Sequence, residues 1–133
     1  MFVSGANRFS SSLKEIAFVS EGNCFCLREA PHEYIFNKCC CVIHHGGAGT
    51  AARVLEAGVP SIVVPILIGA DQPWWADRIE ELGCGVHVRS KIEGTSPTEQ
   101  DITMALNRVL DGGEESLRVQ RSLKRVSNGI RTY

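Results

Sequence analysis

The chain has 133 residues, enough for one domain with a real core, and 44% of them are hydrophobic, as in an ordinary globular domain. Fourteen Lys and Arg against fifteen Asp and Glu leave a formal net charge of −1, so no bulk attraction to nucleic acid or to an anionic membrane is expected. No apolar run approaches the ~20 residues of a membrane span, and the N-terminal MFVSGANRFSSS lacks the charged start and long apolar stretch of a secretory signal. The six cysteines include no C-x-x-C pair, and adjacent cysteines cannot easily serve one tetrahedral ion. They read as reduced thiols of a cytoplasmic protein, with Cys41 and Cys39 packed inside and no metal site.

In chain order, Phe2 to Gly5 reads as a strand ending in a glycine turn. Asn7 to Lys14 is polar and serine-rich, a loop or a short helix. Glu15 to Val19 and Asn23 to Leu27 are apolar runs, one or both of them strands. Pro31 breaks the pattern, and His32 to Lys38 predicts one or two helical turns with Tyr34, Ile35 and Phe36 inward. Cys41-Val42-Ile43 is the β-branched run of a buried parallel strand. Glycines 46, 47 and 49 follow at once. Ala48 to Ala57 is rich in helix formers, and Gly58 with Pro60 stops it. Ser61 to Val64 is the next strand, ended by Pro65.

Pro73 to Leu82 has helical spacing, with Trp74, Ala76 or Asp77, Ile79 and Leu82 along one face. Trp74 and Trp75 are adjacent, so they cannot face the same way. Gly83 ends that helix and Val86-His87-Val88 is a strand, with His87 expected at the surface. Ser96-Pro97-Thr98-Glu99 predicts a helix start with Ser96 as cap. This helix runs to about Leu110, with Ile102, Ala105, Leu106 and Val109 on one face. A last helix spans Glu114 to about Val126. Alternating strands and helices argue an α/β fold, a Rossmann-like parallel sheet with helices on both faces.

A strand feeding a helix through a glycine turn aims free N–H groups beyond the sheet edge, where they and the helix dipole favour an anion, most often phosphate. A phosphate-binding P-loop would need Gly-Lys-Ser/Thr, and no lysine accompanies Gly49-Thr50. A dinucleotide fingerprint fits Gly47, Gly49 and Ala52, with Asp71 at about the ~20-residue spacing of the ribose acid. Asp71, however, lies beyond Pro65 in or after a loop, so a dinucleotide-binding module is the weaker alternative. A third possibility is a tight strand-to-helix connection with no ligand.

The sequence from about Ala30 to Gly85 resembles the donor-binding signature of the UDP-glycosyltransferase family. The blocks that carry the likeness are His44-His45-Gly46-Gly47-Ala48-Gly49-Thr50, Ala57-Gly58-Val59-Pro60 and Asp71-Gln72-Pro73-Trp74-Trp75. Within the family they look like the sterol glucosyltransferase branch and its bacterial macrolide and glycopeptide relatives. The resemblance implies the C-terminal half of a two-domain (GT-B) enzyme. It implies donor diphosphate binding by His45, Gly47, Ala48, Gly49 and Thr50, sugar binding by Asp71 and Gln72, and a nucleoside near His32. Many members carry a ribose-binding glutamate where Arg53 stands, so ribose recognition here is expected to differ.

From that likeness, residues 1–133 are expected to be a single donor-binding domain, either whole or lacking its first strand and helix. The acceptor-binding domain and its catalytic histidine would lie outside it. The implied reaction moves a hexose, glucose first, from a UDP-sugar to a sterol or other lipid-like hydroxyl, with no cofactor. The alternatives are the donor subunit of a split glycosyltransferase and an inactive UDP-binding fragment. The expected partners are the UDP-sugar and an acceptor-binding domain or subunit, through which any peripheral membrane association would run. Nucleic acid is not expected. No catalytic residue is assigned within the chain, which is expected to be inactive alone.

Overall fold

The computed structural model describes residues 2–3, 26–27, 31–90 and 95–132. The expectations for Asn7–Lys14 and Glu15–Val19 lie outside the described residues. In chain order the elements are β1 (Phe2–Val3), β2 (Cys26–Leu27), α1 (His32–Phe36), β3 (Val42–His44), α2 (Ala48–Ala57), β4 (Ser61–Val63), α3 (Gln72–Glu81), β5 (Gly85–His87), α4 (Glu99–Leu110) and α5 (Glu114–Arg131).

The described strands form two parallel ladders. In one, β1 pairs with β2, Phe2 opposite Cys26. In the other, β4 lies between β3 and β5, and His44, Val63 and His87 stand in line at the C-terminal edge. All three residues of β4 are buried. β4 is covered on both faces: its polar side chain, Ser61, is hydrogen-bonded to His44 at 3.3 Å, and the Ile62/Val63 alternation divides the core. Val63 packs with Ala51 and Leu55 of α2, Ala76 and Ile79 of α3, and Val119 and Leu123 of α5. Ile62 faces the other way and packs with Val86, Val88 and, from α4, Ala105 and Val109. The expected sheet with helices on both faces is therefore present. A third cluster joins Ile35 and Phe36 of α1 to Val54 and Val59.

Several helix expectations need correction. Tyr34 does not pack inward: it is 65% exposed, while Ile35 and Phe36 are buried. A helix of only five residues has one face to bury, and adjacent positions at 100° spacing cannot all share it. On α3 the core face carries Trp75, Ala76 and Ile79, and Trp74 is exposed. The two indoles still touch edge to face, with centroids 4.9 Å apart. Helix α4 is capped by Thr98, not Ser96: Thr98 Oγ1 accepts from the Asp101 amide, and the Asp101 carboxylate accepts from the Thr98 amide. Pro97 stands before the cap. Helix α5 continues five residues past Val126 to Arg131, whose guanidinium donates to the Glu56 carbonyl at 3.1 Å and so satisfies the end of α2. Cys84 is buried, Cys39 and Cys41 are half-buried, and Cys40 is exposed.

Candidate functional site

The turn between β3 and α2 is built from its two histidines and two glycines. His44 ends β3, and its Nδ1 accepts the Gly46 amide at 3.2 Å. With Nδ1 accepting, Nε2 must carry the ring proton, which it donates to Ser61 Oγ at 3.3 Å. Burial, helped by the neighbouring His45, pushes the His44 pKa down to about 4, so the ring is neutral near pH 7. His44 is thus a structural residue that shapes the turn.

Gly46 turns the chain with φ +92°, and a Cβ there would stand 2.8 Å from the Gln72 carbonyl oxygen and 2.9 Å from Val63 Cγ1. No larger residue fits both the torsion and the space. Because of this close approach, the turn lies directly against the start of α3. Gly47 is the cap position of α2 and supplies no side-chain bond; no acidic residue stands in the first turn. The first intrahelical bond runs from the Ala51 amide to the Gly47 carbonyl. The amides of Ala48, Gly49 and Thr50 therefore have no acceptor within the helix. Open space surrounds Gly49. His45 is exposed, and its Nε2 lies only 2.6 Å from where a Cβ on Gly47 would be, so the imidazole is folded over the helix start. Three free amides and an imidazole meet at one exposed spot, with Thr50 in the same first turn, an arrangement suited to an anion.

Asp71 and Gln72 reach the same edge from the far side of Gly46. Asp71 is exposed at the cap position of α3. Gln72 is buried, and its Oε1 accepts both the Ile66 and Leu67 amides at 2.9 Å. The oxygen of this amide is therefore committed to the loop, and only its NH2 remains to meet a ligand. Nothing in the sequence marks Gln72 as a loop clamp. The clamp fixes a row of outward-facing apolar side chains, Ile66, Leu67 and Ile68, the last 80% exposed.

His32 begins α1, which packs against α2. Its ring stacks on Phe36 with centroids 4.7 Å apart. Beside it a groove of about 360 Å3 is lined by Pro31, His32, Glu33 and Arg53. Arg53 is not a free solvated cation: its Nη1 lies 3.2 Å from Glu33 and 3.0 Å from Glu56.

Among the described residues, one other cluster combines histidine and acid. His87 is not at the surface as expected, since its side chain is 10% exposed and its Nδ1 lies 2.7 Å from Asp77. Asp77 stands ten residues earlier, on the helix whose return to the sheet places it over β5, a juxtaposition that the tertiary crossover creates. Arg89 binds Asp77 and Glu80 in turn. The His87 bond, with Arg89 behind it, holds the Asp77 carboxyl below its usual range. Asp77, Glu80 and His87 are close enough to share a cation, but Arg89 already fills that role. Burial pushes the Cys41 and Cys84 thiols up to about 11, so neither is a nucleophilic thiolate at neutral pH. No helix among the described residues is long and apolar enough to cross a membrane.

The fold and this edge can be compared with known proteins. A sterol 3-beta-glucosyltransferase of Arabidopsis thaliana is 48% identical over 63 residues, 47% of this chain and 10% of the relative. The vancomycin aglycone glucosyltransferase of Amycolatopsis orientalis is 42% identical over 84 residues, 63% of this chain and 19% of the relative. The chain thus spans a small part of the curated relatives it matches. Among solved structures, Os79 of O. sativa in complex with U2F and trichothecene superposes with a TM-score of 0.77 at 20% identity, over 95% of this chain and 28% of that one. The likeness to Os79 shows the fold, an α/β arrangement shared with GT-B glycosyltransferases. The family model for the erythromycin biosynthesis protein CIII-like C-terminal domain matches residues 21–125, most of the chain and all of the turn described above. By that match the chain belongs to the erythromycin biosynthesis protein CIII-like C-terminal domain family, a UDP-glycosyltransferase family.

Proposed function

We propose that the chain is the donor-binding part of a UDP-sugar glycosyltransferase that transfers glucose to a sterol or other lipid-like hydroxyl. The observation that carries this reading is the β3–α2 turn, where free amides and the His45 imidazole meet at one exposed spot. Displacement at the anomeric carbon releases UDP, so negative charge grows on the diphosphate as the bond breaks. Donors already fixed at that place stabilise the charge without reorganising. Thr50 adds its hydroxyl. Asp71 accepts hydrogen bonds from the sugar hydroxyls, and the Gln72 NH2 donates one. The glucosyltransferase relatives support glucose as the sugar. The row Ile66–Ile68, beside Asp71, supports an apolar acceptor. The acceptor pocket and the base that takes the acceptor's proton come from an acceptor-binding domain or a separate subunit.

Asp71 tests the sugar assignment. Asp71→Ala is expected to weaken UDP-glucose binding roughly tenfold, the loss of one or two charge-assisted hydrogen bonds. UDP binding should stay unchanged, since Asp71 touches only the sugar. Isothermal titration with both ligands measures this. Equal effects on the two, or no effect on UDP-glucose, would remove Asp71 from the sugar site.

A further inference from the structure

The ion pair between Glu33 and Arg53 has no role in the site so far described. We infer that Glu33 reads the vicinal diol of a ribose carried by the diphosphate, with Arg53 as its positioning residue. The inference rests on the donor-site reading above.

The placement follows from helix geometry. Arg53 stands three residues after Thr50 and four after Gly49, so it lies on the same face of α2, one turn along. That is about 5 Å from the anion-binding amides. A ribose is attached directly to the first phosphate of a nucleoside diphosphate. With the diphosphate at the turn, its ribose falls beside Arg53, in the groove lined by Pro31, His32, Glu33 and Arg53. The groove volume, about 360 Å3, is at the small end of ligand clefts.

The chemistry then separates the lining residues. A vicinal diol offers two O–H donors and needs an acceptor. Arg53 has donors only. Pro31 has no polar side chain. Glu33 supplies the lining's carboxylate, and it can accept both hydroxyls. Arg53 Nη1 holds one of its oxygens at 3.2 Å. Among the described residues, the other oxygen has no protein partner. Arg53 also pairs with Glu56 at 3.0 Å, so its guanidinium lies between the two acids and keeps the Glu33 carboxylate beside the groove. The His32 ring, fixed on Phe36, forms the adjoining wall. The pair is too exposed to contribute much to stability, so replacing it should leave the fold intact.

The test compares UDP with 2′-deoxy-UDP by isothermal titration of the purified chain. The wild type should prefer UDP by about tenfold or more, the worth of one hydrogen bond to a charged group. Glu33→Gln should bring UDP binding down to the level of the deoxy ligand. Arg53→Gln should reduce the preference in part. A wild-type preference that survives Glu33→Gln would overturn the inference while leaving the donor site standing. So would equal binding of the two ligands. A folded chain that binds neither would refute the donor-site reading and this inference with it.

Discussion

His44 and His45 are adjacent and chemically identical, yet the fold gives them opposite tasks. His44 is turned back under the strand, neutral, bonded through both ring nitrogens to the Gly46 amide and Ser61. His45 is turned out over the helix start. The difference has a pH consequence. Burial lowers the folded-state pKa of His44 to about 4, against about 6.5 in an unfolded chain. Between those values the unfolded chain binds the proton and the folded chain does not. The contribution of His44 to stability is therefore complete above pH 6.5 and is lost as pH falls toward 4. The shift corresponds to about 3 kcal/mol. Denaturant melts at pH 7 and pH 4.5 should show a drop in stability that His44→Asn largely removes. An identical drop in the variant would mean that other groups carry the acid sensitivity. The backbone bond of His44 could be anticipated from its place at a strand end. The double use of Gln72 could not, because its loop partners are set by how α3 returns to the sheet.

At the scale of elements, local signals placed most of the helices and strands. Helix α2 begins and ends where its composition and Gly58 place it, and β3, β4 and β5 lie within a residue of the apolar runs. Local signals failed where two caps competed. Both Ser96 and Thr98 can cap a helix, and proline after Ser96 favoured the earlier start. The structure selects Thr98 because Asp101 closes the reciprocal bond there, whereas the partner required by Ser96 would be Glu99, the first residue of the helix. Thr98→Ala should cost about 1 kcal/mol and lower the melting temperature by roughly 2–6 °C. Ser96→Ala should leave it unchanged. The reverse pattern in thermal melts would restore the earlier start. Tertiary pairing was likewise invisible: His87 looked like a surface residue until α3 brought Asp77 against it.

For the whole molecule, the turn at 45–50 and the start of α3 at 71–72 meet at one edge of the sheet, and α1 with its groove lies alongside α2. The first two were legible as blocks that agree in order and spacing. Their contact, through Gly46 and the Gln72 carbonyl, and the pairing of Arg53 with Glu33 of α1, emerge only from packing. We propose that this edge binds the diphosphate of UDP. Isothermal titration of the purified chain with UDP, with NAD as control, tests it most directly. Binding of UDP in the micromolar to millimolar range is predicted, with NAD weaker and His45→Ala reducing UDP affinity about tenfold or more. A chain that is folded by circular dichroism and binds no UDP, or that binds NAD more tightly, would show that this edge is not a UDP site.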